Sequence, residues 1–446
     1  MCKVPKTKLL KAISKELPLH KSNKRIWIAT KKLNDTAFAD TLTYSYTMSK
    51  SKRRLVITTT ENDNRKITVR KSNALPIIDI CNEETSTLFK DIDRIIVKIY
   101  DNEIVIEPQK EEIEQSRARK KLNHKKITFI DLFAGSGTLS EAFKNSGMTP
   151  IAATELEEKY LDNYEANNPD TFTYQTNITE IDLDLLPKQA TVLLGGIPCE
   201  CFSPSGVVKK QSLGQKAQEG GDTGSLGYFF LQAVEKIRPA LIVIEEVIGF
   251  RNSQMMEMIR FVLSARGYQL SEKILKADEY GSMTKRKRFC MVATISKNKF
   301  NFSNQRQLNL RNVKDILEVE VDNRVWLDEH NSRSIAYTLQ KELKHIEKKE
   351  GFRIARTYLE DSVTATITKG YFRNQMTNPI LVHPEDSTKF SWFTPRELAR
   401  LNGLPDSFIL PNGKRDKSKC GELIGQGVAQ EPFMQVASDI IKHLKG

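Results

Sequence analysis

The segment Pro198-Cys199-Glu200-Cys201-Phe202-Ser203 follows the apolar run 192–196, whose β-branched and Leu residues read as a buried parallel strand ending at Gly195-Gly196. A thiol delivered there lies at the open carboxyl edge of a sheet, where ligands bind. Beside cations or a helix end, Cys199 would be a thiolate nucleophile; buried among apolar groups it would be an inert core residue, and the residues alone leave both readings open. A second apolar run, 241–247, carries Glu245 and Glu246 toward the same edge. Burial raises a carboxyl pKa, so one of the two would stay protonated near neutral pH and donate to a ring nitrogen, while Glu246 also suits a helix cap. In Thr284-Lys285-Arg286-Lys287-Arg288, the arginines alternate onto one face of the strand that follows. Their guanidinium forks suit a carbonyl oxygen or a phosphate, the plainer reading being a solvated basic edge.

The turn Asp131-Leu132-Phe133-Ala134-Gly135-Ser136-Gly137-Thr138-Leu139 lets backbone approach a ligand, but it lacks the third glycine of GxGxxG, which weighs against NAD or FAD. Glu155, at the end of the next strand, is placed to accept hydrogen bonds from the ribose hydroxyls of an adenosyl group. A tight turn beside a surface Glu is the competing reading.

These groups need a scaffold, and the sequence outlines one. From 127 the pattern runs strand (127–132), glycine turn, helix (from 142 to a cap near Gly147), strand (151–154), helix (157–168), with further strands at 192–196, 241–245 and 290–294. This predicts a doubly wound, Rossmann-like α/β sheet. Residues 300–390 break the rhythm and read as an inserted lobe, after which 394–403 is helical. Upstream, 1–112 predicts a small α+β domain: a helix over 6–17, strands at 25–30, 54–60, 66–70 and 77–81, and a hairpin, 95–100 with 103–107, about Asp101-Asn102. The charged stretch around 113–125 reads as a connecting helix or linker, which leaves 126–299 as a catalytic domain, 300–390 as the inserted lobe and 391–446 as a return to the catalytic domain.

Composition narrows the class. With 446 residues and 39% hydrophobic content, the chain is long enough for two or three domains. Its six cysteines show no paired metal spacing or disulfide framework, which points to a reducing compartment and no metal. No apolar stretch approaches the roughly 18 residues of a membrane span, so a cytoplasmic, nucleoid-associated protein is expected. The net charge of +13 is concentrated in residues 1–60, where fourteen Lys and Arg face three Asp and Glu. Such asymmetry favours a polyanion, most simply nucleic acid, over a merely solvated basic face.

Taken in order, FAGSG (133–137), PCECFS (198–203), EEV (245–247), TKRKR (284–288), RELARLNGLPDSF (396–408) and IGQGV (424–428) resemble the cytosine-5 DNA methyltransferases across 126–446. The resemblance implies S-adenosylmethionine as cofactor, touched by Phe133, Gly135, Gly137, Thr138 and Leu139, with Glu155 on the ribose, Leu156 on adenine, Asn177 and Ile178 flanking it, and Pro198, Leu226 and Gln426 completing the set. It implies Cys199 as nucleophile, Glu245 as its acid partner, Arg286 and Arg288 as holders of a flipped base, and a DNA-closing loop over 204–226 with Ser203, Lys209, Lys210 and Lys216 as contacts. The lobe at 300–390 falls where this family places its target recognition domain, and Ser362-Val363-Thr364-Ala365-Thr366-Ile367-Thr368 resembles the TITA-like stretch near that domain's end. Double-stranded DNA is the implied substrate and a monomer the implied state, in a prokaryote, phage or mobile element. A cognate restriction endonuclease remains open as a partner, as do an RNA-methylating relative and a non-catalytic DNA binder. The chain departs from the family pattern at Asn177 (usually Asp), Glu200 (Gln), Thr223 (Arg), Glu246 (Asn), Thr284 (Gln) and Gln426-Gly427 (Asn-Ser).

Overall fold

The computed structural model describes residues 8–39, 43–61, 63, 65–70, 75–198, 226–303, 309, 311–373, 377–411 and 416–445. The chain divides into two compact units, 1–118 and 119–446.

The first unit is built from strands β1 (Leu9–Glu16), β2 (Leu19–His20), β3 (Asn23–Ala29), β4 (Tyr44–Ser49), β5 (Arg54–Thr59), β6 (Thr68–Arg70), β7 (Leu75–Cys81), β8 (Arg94–Tyr100) and β9 (Glu103–Pro108), with helix α1 (Glu83–Leu88). Two sheets form, in the orders β1-β8-β9-β5-β4 and β2-β3-β7-β6. The alternation of Ile26 and Ile28, Leu55 and Ile57, and Ile95, Val97 and Ile99 feeds one shared core. The expected helix at 6–17 is instead β1 over its described part. Leu9, Leu10, Ile13 and Leu17 do carry helical spacing, but 9–16 pairs antiparallel with β8. That ladder aligns Ile13 with buried Val97 and puts Lys11 and Lys15 on the same face. Their ammonium groups then donate to Thr30 Oγ1 (3.2 Å) and Trp27 O (2.7 Å), so tertiary pairing overrides local propensity.

Helix α2 (Lys110–Lys121) contains the boundary between the units. The second unit holds a seven-stranded sheet in the order β12-β11-β10-β13-β14-β16-β15. Its strands are β10 (Thr128–Leu132), β11 (Thr149–Glu155), β12 (Phe172–Gln175), β13 (Val192–Gly195), β14 (Leu241–Glu246), β15 (Gln269–Lys276) and β16 (Lys287–Thr294). The expected doubly wound α/β arrangement is therefore present. Helix α3 (Thr138–Asn145) begins four residues before the expected Ala142, directly after the glycine turn, and α4 (Glu158–Asn167) follows β11. Helices α5 (Leu226–Ile237) and α6 (Gln254–Ala265) follow in chain order. Strand β15 had no clear signal in the sequence. It pairs antiparallel with β16, and β16 pairs antiparallel with β14. That reversal matters for the site, because the amino-terminal end of β16, with Arg288, comes to the edge where the parallel strands end.

The lobe at 300–390 contains α7 (Arg333–Glu347) and a small sheet of β17 (Arg356–Thr357), β18 (Ile380–Val382) and β19 (Phe390–Ser391) around Ile335, Ile354, Ile380, Val382 and Phe390. Helices α8 (Pro395–Leu401), α9 (Lys417–Gln426) and α10 (Gln430–Lys445) close the chain. Arg324 of the lobe binds Glu397 of α8 through two bonds, at 2.7 and 2.9 Å, with side chains 2% and 0% exposed. Glu397 also completes the capping box with Thr394. The Glu of the RELARL motif is thus an architectural anchor between lobe and helix.

Candidate active site

A cavity of 730 Å³ opens along the carboxyl edge of the seven-stranded sheet. One end is shaped by the turn between β10 and α3, where Phe133, Gly135 and Gly137 have φ of +61°, +54° and +84°. Gly137 is required there. It sits at the helix amino cap in a left-handed conformation, and a Cβ on it would approach the Tyr164 ring at 2.8 Å. Glu155, at the end of β11, fastens the turn: one carboxylate oxygen accepts from Gly135 N (2.8 Å) and the other from Leu156 N and Glu157 N (2.9 Å each). The carboxyl-terminal segment docks on the same turn. Val428 N and Gln430 Nε2 donate to the hydroxyl and carbonyl of Thr138, at 3.2 and 2.7 Å. Gly427 lies so close to Thr138 that a Cβ would come within 2.5 Å of its hydroxyl, which gives the Gly in place of Ser a steric reason.

The other end of the cavity holds Glu245 and Arg288. Arg288 Nε lies 2.6 Å from Glu245 Oε1, with side chains 17% and 15% exposed. Gly196, after β13, lies beside this carboxylate: a Cβ there would rest 3.6 Å from its other oxygen, in ordinary van der Waals contact. Arg286 is buried and its two terminal nitrogens donate to Ile367 O (2.9 Å) and Gly425 O (2.8 Å), so it ties β16, the TITA-like stretch and α9 together. Burial, with the neighbouring Arg288 charge, pushes the Arg286 guanidinium well below its ordinary value. Thr284 pairs with Thr364, supported by backbone bonds from Lys285 N to Thr364 O and from Thr364 N to Met283 O. Glu246 is buried and accepts from Val247 N at 2.8 Å, at the entry to a short 3₁₀ turn.

Of the expected cofactor residues, Phe133, Gly135, Thr138, Leu139, Glu155, Leu156, Asn177, Ile178, Pro198, Leu226 and Gln426 line this cavity, as do Glu245, Arg286 and Arg288. Gly137 acts from behind as the helix cap. Cys199, Ser203, Lys209, Lys210 and Lys216 lie outside the described residues; the chain reaches the cavity wall at Pro198, one residue before Cys199. The sequence reading missed two wall features. Tyr160 of α4 donates to Glu422 of α9 at 2.8 Å, a pairing across 262 positions that no local pattern announces. Asp131 also lines the cavity, and its signal was available: a lone carboxylate inside the apolar strand Thr-Phe-Ile-Asp-Leu.

Asp131 is 1% exposed and accepts from Ser140 Oγ at 2.6 Å. Burial pushes its carboxyl up to about 7; the Ser140 bond opposes this, while Glu155 and Glu245 add to it. The folded value thus exceeds the ordinary 3.8, so the folded state holds an extra proton between the two. The corresponding stability is fully present below that lower value and is lost as pH rises through about 7. Asp131→Asn is expected to flatten the stability profile across this window, by at most about 1.4 kcal/mol per pH unit, and to melt above the parent protein at pH 8. Urea unfolding of the full chain at pH 5 and pH 8 checks this; a profile as steep as the parent's would refute it.

Residues 127–442 match the family described as C-5 cytosine-specific DNA methylase, over most of the chain. The chain belongs to this family. The type II methyltransferase M.DsaV of Dactylococcopsis salina is 30% identical over 303 residues, covering 65% of this chain and 80% of that relative. M.HhaI of Haemophilus parahaemolyticus is 26% identical over 337 residues, covering 70% and 95%. Among solved structures, the Entamoeba histolytica methyltransferase EhMeth superimposes with a TM-score of 0.58 at 17% identity, and the S. pombe Dnmt2 methyltransferase with 0.56 at 18%; each covers 72% of this chain and 100% of the other, and each speaks to the fold. The protein is therefore an S-adenosylmethionine-dependent cytosine-5 DNA methyltransferase. The left-handed turn, the carboxylate at the end of β11 and a cavity continuous from these to Glu245 suit an adenosyl cofactor at one end and a base at the other.

Proposed function

We propose that this cytosine-5 methyltransferase acts on one specific sequence in duplex DNA, on a base flipped out of the stack and held in a transient covalent bond to Cys199. The observation that carries this reading is the single cavity in which the glycine turn, the Glu245–Arg288 pair and the chain leading into Cys199 converge. Glu155, Leu156, Asn177 and Ile178 would hold the adenosyl end of the cofactor, and Thr138 and Gln426 its amino-acid end. When bound, S-adenosylmethionine supplies an electrophilic methyl group.

The remaining steps belong to the protein. The Cys199 thiolate adds to carbon 6 of cytosine, and Glu245 holds a proton at ring nitrogen 3, so that electron density moves to carbon 5. Once carbon 5 is methylated, loss of its proton restores the double bond and the sulfur–carbon 6 bond breaks, returning the thiolate. A paired base is out of reach of these groups, and extrusion costs about a few kcal/mol, offset by pocket contacts. Arg288 holds Glu245 in place and presents a cation to the base. The lobe at 300–390 is the expected reader of base edges.

Tritiated methyl transfer to duplex oligonucleotides of varied sequence, with transfer RNA as competitor, tests the reading. Label at cytosine in one sequence context, undiminished by the RNA, is the expected result. Label on RNA with none on duplex DNA would overturn it.

A further inference from the structure

The first unit lies outside the family match, which begins at residue 127, and it carries the chain's charge asymmetry. Part of that charge is committed to the fold. Lys11 and Lys15 bridge to β3 and its end, Arg25 is paired with Asp79 (2.7 Å), Lys32 with Asp35 (2.7 Å), and buried Lys24 reaches Ile92 O and Asp93. The hairpin β4–β5 differs. It pairs Ser49 with Arg54, leaving the four-residue tip Lys50-Ser51-Lys52-Arg53 closed by Arg53 N to Lys50 O at 3.3 Å. Lys50 and Lys52 are exposed, and among the described residues neither they nor Arg53 is ion-paired. Arg53 adopts φ +47°, a left-handed position in which glycine or asparagine would sit with less strain, yet a cation occupies it. Strand register adds one more charge: β5 and β8 both pair with β9, Leu55 opposite Ile106 and Ile95 opposite Pro108, which brings exposed Arg94 to the same end of the sheet.

We propose that the β4–β5 hairpin tip is a second DNA-binding element, separate from the catalytic cavity, that contacts backbone phosphates of duplex DNA through Lys50, Lys52 and Arg53. A two-stranded ribbon fits the width of a DNA groove, and clustered cations with no ion-pair partner among the described residues suit the condensed charge of a duplex. These contacts carry no base information. They raise affinity for DNA of any sequence and so hold the enzyme on the substrate it searches.

The test is the salt dependence of binding by the full-length protein to a nonspecific duplex without cofactor, a measurement that stands whether or not the catalytic reading holds. Lys50→Gln with Lys52→Gln should make the slope of log K against log salt shallower by about 2, since each phosphate contact contributes about 0.9. The control, Lys8→Gln with Lys31→Gln, removes the same charge away from the hairpin tip, Lys8 beside the Leu9–Tyr100 pair at the opposite end of the sheet and Lys31 next to Thr30, which accepts from Lys11 of β1, and should leave the slope unchanged. Lys52→Gln alone, expected to shift the slope by about 1, serves if the double variant misfolds. An unchanged slope in the hairpin variants, or an equal shift in the control, would overturn the proposal. So would loss of binding to double-stranded RNA or to phosphatidylserine vesicles with duplex binding intact, which would assign the tip to another polyanion.

Discussion

Cys199→Ser is expected to abolish methyl transfer while duplex binding and the fold persist. Carbon 5 of cytosine is too electron-poor to attack a methyl donor unless a nucleophile first adds to carbon 6. A serine hydroxyl is protonated at neutral pH and adds far more slowly than a thiolate, whose ionised fraction is substantial near cations. The loss should approach the roughly million-fold that deleting a nucleophile costs in a hydrolase. Cys201, two residues on, is the built-in control: Cys201→Ser should retain transfer. A duplex carrying 5-fluorocytosine sharpens the test. Fluorine cannot leave carbon 5 as the proton does, so the sulfur–carbon 6 bond stays intact and the protein is trapped on DNA. Mass spectrometry should place that adduct on residue 199 in the parent protein and find none in Cys199→Ser; transfer by the variant within tenfold of the parent would remove this sulfur from the mechanism.

Much of this site was legible because its residues are local in sequence. A glycine turn, a carboxylate ending a strand and an apolar run before Pro-Cys announce themselves within a few positions, and the sheet that aligns them follows from strand–helix alternation. What the sequence concealed was non-local. The reversal of β16 depends on its pairing with β14 and β15, and only that reversal brings Arg288 within 2.6 Å of Glu245. The two arginines of TKRKR read as equivalent on a strand face, yet Arg286 is committed to two backbone carbonyls, of Ile367 and Gly425, both distant in sequence. Tyr160 and Glu422 meet only because α9 returns to the cavity wall. In the first unit the helical spacing of Leu9, Leu10, Ile13 and Leu17 misled for the same reason: the partner that makes it a strand, β8, lies about eighty residues downstream.

Substitutions at the Glu245–Arg288 pair separate chemistry from architecture. Glu245→Gln keeps the shape of the side chain and an oxygen that can accept from Arg288 Nε, but it removes the carboxyl that would hold a proton at ring nitrogen 3. Without that proton, charge accumulates on the ring as the thiolate adds, and kcat is expected to fall by about 10²–10⁴, the usual contribution of a positioned acid. KM for DNA and for the cofactor should move little, because the contact is worth most in the transition state. Glu245→Ala should do more. It leaves Arg288, only 17% exposed, without the carboxylate it faces, and removing one partner of a largely buried pair costs stability as well as activity. Thermal melting together with single-turnover kinetics therefore distinguishes the roles. A Gln variant that melts like the parent but transfers methyl slowly supports an acid at nitrogen 3; a Gln variant within tenfold of parental kcat, alongside an unstable Ala variant, would reduce Glu245 to a strut for Arg288.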